Sequence, residues 1–394
     1  MKRLLLVSHR PLEEHGGLGA RWRSLCRYLP AEGWETDVVS ASRPPAEFSE
    51  LRGPQHRTLL RARVMGSAGR LTDPAFALAG LRPEATPPSM LWVMRGAREV
   101  RRRLRERDYD AVLATGPPMV ALLAARAGLR DGGPPLVLEL RDLWAGNPYY
   151  DRRGELLGAV ERWLLRGARA VIACTPEAVA DLRRRHPGMS ERIVEIPNGF
   201  EPKLLDRRES CTQKAANPIT ILHSGTLTPE RPLRPLLTAL ADELYRSRFR
   251  LVLHGYVAPA SRRELAAARG PVEVIPPSSW RDAIERICEA DATLVTQSRA
   301  AGDSTAVAAK VYEYLALGKP VLCLTDGGAT EGLLRRLGAD ALCARLGDER
   351  SIGAALDRLL GGAPPPPSPE RLAGYDRRRL AARMAAVLDR SAER

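Results

Sequence analysis

Lys310 and Glu313, one helical turn apart in the stretch AAKVYEYLALGKPVLCLTDGGATEGLLRRLG at residues 308–338, are the pair in this chain whose types and spacing most invite chemistry. An ammonium and a carboxylate three positions apart can simply pair across a helix face. Glu313, however, is flanked by Val311, Tyr312, Tyr314 and Leu315. A carboxylate in apolar company needs donors, because burying an unpaired charge costs several kcal/mol. The two hydroxyls of a ribose are one source of them. Gly318 ends the helix, residues 320–325 read as an apolar strand, and Gly327-Gly328-Ala329-Thr330 leads into a second helix. Such a βα unit leaves room for a ligand at the carboxyl end of its strand.

The elements that must position this pair belong to a chain that alternates strand-like and helix-like segments nearly throughout, the signature of parallel sheets built from βαβ units. Strands are expected at 3–8, 36–40, 110–114, 135–140, 170–174 and 193–196, then at 218–224, 249–255, 272–275, 291–296, 320–325 and 340–343. Divided in two, the 394 residues give about 190 per domain, enough for two cores. The boundary is expected after Gly199, because residues 201–217 are polar, lack a period and precede a fresh strand. Four prolines at 364–367 form a stiff spacer, beyond which residues 369–391 regain helical periodicity. Residues 43–96 have no steady period except the apolar SMLWVM at 89–94, which reads as the start of a helix packed on the sheet. A long irregular insert is also where a binding loop can arise.

A hydrophobic share of 44% with 27% charged residues fits a globular chain. No apolar run reaches the roughly 18 residues of a membrane span. MKRLLLVSH, too short in its apolar part and without a small-residue cleavage site, reads as a first strand and not as a signal peptide. The cysteines at 26, 174, 211, 288, 323 and 343 show no CxxC pair and several lie in apolar strands. They are expected to be reduced core residues of a cytoplasmic protein, and no metal-ligand spacing joins them to the histidines. The net charge of +14 gathers in arginine runs at 98–107, 183–185 and 377–379. Solvated helix faces account for such runs. Nucleic acid is disfavoured, because the aromatic content of 5% leaves little to interleave with the arginines, whereas weak attraction to an anionic lipid surface fits them.

The stretch at 308–338 resembles the nucleotide-sugar site of retaining glycosyltransferases of family 4, which have the GT-B fold. Further motifs follow in the family's order: LLLVSH with His15-Gly16-Gly17, Leu140-Arg141-Asp142-Leu143-Trp144, Ile196-Pro197-Asn198-Gly199-Phe200 and His223-Ser224-Gly225-Thr226-Leu227. The resemblance implies an α/β protein with two Rossmann-like domains facing across a cleft. Residues 1–200 would bind the acceptor, residues 201–368 the nucleotide-sugar, and a last helix at 369–394 would cross back to the first domain. It implies transfer of a sugar, with retention, from a UDP- or GDP-linked donor to a hydroxyl acceptor such as a natural product, a lipid-linked sugar or a polysaccharide precursor. A sugar-nucleotide epimerase and an inactive donor-binding protein of the same fold are the alternatives.

On this resemblance the donor meets Gly16 and Gly17, whose missing Cβ lets backbone N–H groups approach phosphate, and Gly225, Thr226, Arg231 and Lys310. Charge developing on the leaving diphosphate is met by helix ends, N–H groups and cations, so no metal and no cofactor is expected. The family's usual Arg and Lys, five positions apart, are Thr226 and Arg231 here, and the first of its two glutamates is Thr305. The chain therefore resembles a branch whose helix reads Lys-x-x-Glu-Tyr, in which Lys310 restores a cation and Glu313 takes the ribose. Ser304 and Thr305 are expected to bond the sugar, or else to cap the helix. Gly116, Arg141 and Asp142 are expected to border the acceptor, with Asp142, Arg231 and Lys310 catalytic; for Asp142 the alternative is a cap on a following helix. The expected place is the cytoplasm, peripheral at the inner membrane face, with no nucleic-acid partner.

Overall fold

The computed structural model describes residues 1–9, 17–40, 90–145, 155–211, 217–267, 270–297 and 305–393. Most of the irregular insert, residues 43–89, lies outside them, as do Gly16 and Ser304. The chain divides into two compact units, Met1–Asn198 with Arg377–Arg394, and Gly199–Asp376.

The first unit is built on a six-stranded sheet in the order β2-β1-β3-β4-β5-β6, with β1 Lys2–Ser8, β2 Trp34–Val39, β3 Ala111–Gly116, β4 Leu136–Leu140, β5 Ala170–Ala173 and β6 Ile193–Glu195. All pairings are parallel. Helices cover both faces of such a sheet, so β3 and β4 are buried end to end and read as continuous apolar runs. Trp92, Val100, Leu122 and Leu164 belong to the core on one face. Trp22, Leu25 and Trp34 belong to the other, together with Leu380, Met384 and Leu388 of the helix Arg377–Ala392. That last helix is not continuous from residue 369, because a short helix Pro369–Leu372 and a 3-10 turn Ala373–Tyr375 come before it. The apolar segment at 89–94 opens the helix Met90–Glu106, burying Trp92 and Val93 and leaving Met94 exposed. Its arginines are partly neutralised in place: Arg102 lies 2.5 Å from Glu99 and 2.6 Å from Glu106. Arg184 and Arg185 likewise meet Asp181 at 2.6 and 2.7 Å, as expected for solvated helix faces.

The second unit has the sheet order β12-β11-β10-β7-β8-β9, with β7 Ile219–Ser224, β8 Phe249–His254, β9 Val272–Ile275, β10 Ala292–Thr296, β11 Val321–Thr325 and β12 Cys343–Arg345. Read from β9, the strands run third, second, first, fourth, fifth, sixth, the doubly wound order, and the winding reverses between β7 and β10. A crevice opens at such a switch point, beyond the carboxyl ends of the strands. The 201–211 stretch is no loose spacer. Its short helix Lys203–Asp206 and 3-10 turn Glu209–Cys211 place Leu204 and Cys211, beside Phe200, in this unit's core.

Cys211 is disulfide-bonded to Cys288 across a sequence separation of 77 residues, which corrects the expectation of six reduced cysteines. Cys26, Cys174, Cys323 and Cys343 are free. Folding brings the pair together through packing that spacing alone does not reveal, and a reduced compartment no longer follows from the cysteines. Lys319 sits at the same place. The helix Ala309–Ala316 stops at Gly318, whose φ of +73° suits glycine. Lys319 then turns inward, its Nζ donating to the carbonyls of Cys211, Cys288 and Ala290 at 2.5, 2.7 and 2.7 Å. Burial pushes its ammonium down to about 8. Lys319→Met would leave three buried carbonyls without their donor, and a loss of about 3 kcal/mol is expected in urea unfolding.

Candidate functional site

The switch point of the second unit is lined by the end of β7, His223-Ser224, and the loop Gly225-Thr226-Leu227. This loop is fixed by backbone bonds to the next crossover: Gly225 N–H donates to His254 at 2.8 Å, Leu227 N–H to Tyr256 at 2.8 Å, and Ala258 N–H to Leu227 at 3.0 Å. Such close approach requires glycine at 255, where φ is +138° and a Cβ would stand 2.2 Å from the Gly225 oxygen. Three backbone hydrogen bonds therefore hold the loop in place from within this unit.

Lys310 rises toward it from the first turn of the helix Ala309–Ala316. Its Nζ lies 3.1 Å from His223 Nε2 and 3.4 Å from Nδ1, and a Cβ built on Gly225 would be 3.5 Å from it. Tyr314, on the same helix and fully buried, ties it to β7 by accepting the Ser224 N–H at 3.0 Å. Arg231 stands in the turn after the loop, its N–H donating to Thr228 at 3.0 Å. Burial first, then the Arg231 charge, holds the Lys310 ammonium well below the usual lysine range. Burial, followed by Lys310 and Arg231, likewise holds His223 well below the usual histidine range. Cations crowded at one strand end repel each other, and an anion set between them would relieve the repulsion. The first-turn N–H groups of the Lys310 helix point the same way chemically, since its N-cap residue is Ala308, whose methyl side chain accepts nothing from them. Thr305 is half-buried in a 3-10 turn upstream, so it is not the cap that the sequence allowed for.

Glu313 is half-buried, and its Oε1 accepts the indole N–H of Trp280 at 3.0 Å. The apolar residues beside it in sequence point elsewhere, because neighbours along a helix do not share a face; Val311, Tyr312, Tyr314 and Leu315 are the buried ones. Trp280 opens the helix Trp280–Glu289 behind a Ser279/Asp282 capping box, and Lys203 Nζ lies over its ring at 4.8 Å. Trp280 was not singled out by the sequence. Neither was the chain of bonds that braces the approach to Lys310, in which Thr325 Oγ1 donates to Gln297 Oε1, Gln297 Nε2 donates to Thr330 Oγ1 at 2.8 Å, and Thr330 Oγ1 donates to Ala306 at 3.3 Å. Polar residues at the last position of an apolar strand, as Thr325 is, were the available signal.

In the first unit the winding reverses between β1 and β3, where Ser8 pairs with Thr115. Gly116 ends β3 and Gly17 opens the helix Gly17–Tyr28. Arg141 is buried, its backbone N–H donating to Gly116 at 2.9 Å and its Nε to the same carbonyl at 3.2 Å, with Nη2 on Pro117. It shapes the Gly116-Pro117 loop from beneath. Asp142 is half-buried, and residues 143–145 after it are not helical, so it does not cap a helix there. Glu161 steadies the segment by accepting the Ala145 N–H at 3.0 Å, while His186 Nε2 lies 2.9 Å away. Glu139, in the middle of the apolar LEL of β4, is wholly buried. It accepts from Arg21 at 3.0 Å, Trp22 at 2.7 Å and Thr115 at 2.5 Å, and Arg21 goes on to the carbonyls of Ile196 and Pro197 at 3.0 and 2.5 Å.

Residues 16–199 match the glycosyl transferase 4-like domain family. Among solved structures, HepE of Anabaena in complex with UDP and glucose is similar at 17% identity over 98% of this chain and 95% of that one, with a TM-score of 0.60. The fold is GT-B. Sucrose-phosphate synthase of Thermosynechococcus elongatus is similar at 16% identity over 99% and 97%, with a TM-score of 0.64, and a UDP-N-acetylglucosamine 2-epimerase at 14% over 98% and 95%, with a TM-score of 0.54. At these identities the likeness is one of fold, and one fold serves several reactions. No curated protein matches the chain in sequence. The domain match supports glycosyltransferase activity. Among the described residues no helix is long and apolar enough to cross a membrane.

Proposed function

We propose that this chain is a retaining glycosyltransferase that moves a sugar from a UDP- or GDP-linked donor to a hydroxyl acceptor. The observation that carries the reading is the meeting of Lys310, Arg231 and the Gly225 loop at the switch point of a Rossmann-like unit, with Glu313 one turn further along the Lys310 helix. Two cations and the N–H groups of a helix first turn suit a diphosphate. Glu313, oriented by Trp280, suits a pair of ribose hydroxyls. Gly225 and Thr226 are assigned to the diphosphate, Ser304 and Thr305 to the transferred sugar, and Gly16 and Gly17 to the donor through their backbone. Gly116 and Asp142 are assigned to the acceptor, with Arg141 supporting the loop. The likeness to HepE, solved with UDP and glucose, favours a uridine donor.

Catalysis on this reading is electrostatic. Lys310 and Arg231 meet the charge that grows on the departing diphosphate, the acceptor attacks the face the leaving group vacates, and Asp142 orients the acceptor hydroxyl. The basic helix faces suit peripheral attachment to an anionic inner leaflet. Turnover of UDP- and GDP-sugars against a panel of hydroxyl acceptors, with the product anomer read by NMR, tests the reading. Retained configuration is expected. Inversion would contradict the retaining mechanism, and isomerised donor in the absence of acceptor would favour the epimerase reading that the third structural likeness raises.

A further inference from the structure

We propose that Tyr314 is a positioning residue whose hydroxyl takes the place of a strand partner at the end of β7 and so holds the Gly225 loop at a set distance from Lys310, where the donor diphosphate is assigned; the inference rests on that functional reading. Backbone groups of a strand point alternately to its two neighbours. On β7, Thr220 turns toward β10, its N–H donating to the Asp291 carboxylate at 2.8 Å and its carbonyl accepting the Asp291 N–H at 3.0 Å. Ile219 and Gly225 turn the other way, their N–H groups donating to Arg248 and His254 on the β8 side. Ser224 therefore faces β10. Among the described residues, however, the register between the two strands runs only through Ile221 and Leu222. At the switch point the strands have parted, and the Ser224 edge is met by Tyr314 instead. Its hydroxyl accepts the Ser224 N–H at 3.0 Å and donates to the Ser224 carbonyl at 3.4 Å. Burial pushes this phenol up from its usual range, so it keeps the proton it donates. Lys310 lies four residues before Tyr314 on the same helix, and positions so spaced share a face: one side chain reaches Ser224, the other the neighbourhood of Gly225. The loop is thus bonded to β8 on one side and to the Lys310 helix on the other. Fixing it there before an anion arrives removes part of the ordering cost of binding.

Titration calorimetry with UDP, GDP, uridine and guanosine, paired with amide hydrogen exchange read by mass spectrometry, tests this. Tyr314→Phe keeps the buried ring and removes only the hydroxyl. The variant is expected to bind UDP and GDP about tenfold more weakly, the order of one hydrogen bond, and to bind uridine and guanosine as the wild type does. Exchange is expected to quicken over residues 219–227 and to stay at the wild-type rate in β8 and β11, because the lost bond is local to the end of β7. Wild-type diphosphate affinity in Tyr314→Phe, equal losses for diphosphate and nucleoside, or unchanged exchange over residues 219–227 overturns the role of Tyr314 alone. Exchange that quickens throughout the unit marks a residue that serves only the fold, and overturns it as well. A wild-type protein that does not prefer diphosphate to nucleoside overturns both this role and the functional reading.

Discussion

Lys310→Met is expected to lower turnover by about 100- to 1000-fold, the scale of losing one preorganised group that meets charge in a transition state, without loss of folding stability. The two halves of this expectation have one cause. The Lys310 ammonium is held well below its usual range by burial and by Arg231, so in the empty protein the charged form is disfavoured and a neutral side chain of similar length removes a repulsion. When the donor diphosphate departs, the same charge is what the leaving group requires. A raised or unchanged melting temperature together with a collapsed kcat therefore marks a group that serves the reaction at the expense of the fold. A variant that loses turnover and stability in parallel would show that Lys310 is a structural residue.

Glu139→Gln is expected to lower the stability of the first unit by about 3–5 kcal/mol, the usual penalty for removing one partner of a buried charge pair. The variant keeps the shape of the side chain but leaves Arg21 and Arg141, both buried, without their counter-charge. Burial alone would raise the Glu139 carboxyl; the charges of Arg21 and Arg141, with bonds from Thr115 and Trp22, outweigh it and hold the group below its usual range. A carboxyl lowered on folding contributes stability that is fully present above its unfolded value of about 4.3 and is lost as the pH falls through the lower folded value. Urea unfolding of the wild type between neutral and acid pH should therefore show a fall that Glu139→Gln lacks. Equal stability of the two proteins at neutral pH would contradict the assignment.

Parallel strands buried on both faces are legible because they appear as apolar runs between turn signals, and each expected strand has its counterpart in the two sheets. Errors lie at the ends. The strand expected at 36–40 begins at Trp34, directly after Gly33 closes a 3-10 turn in the left-handed conformation. The one expected at 340–343 begins at Cys343, because Asp340 accepts the Cys343 N–H in a turn. The Lys310–Glu313 helix was legible from its caps, Gly318 and Pro320. Partners brought from far along the chain were not. Trp280 on Glu313, His223 beneath Lys310, Lys319 on three carbonyls and the Cys211–Cys288 bond all join residues that no local pattern links. Glu139 was hidden for the opposite reason, since one carboxylate within an apolar strand does not disturb the pattern around it.

The most direct measurement is calorimetric titration of the wild type and of Glu313→Ala with nucleoside, nucleoside diphosphate and nucleotide-sugar. Wild-type affinity is expected to climb from nucleoside to diphosphate, and Glu313→Ala is expected to lose the nucleoside contribution while Lys310 and Arg231 still register the diphosphate. Equal binding of all three ligands, or a Glu313→Ala protein that binds each as the wild type does, would contradict it.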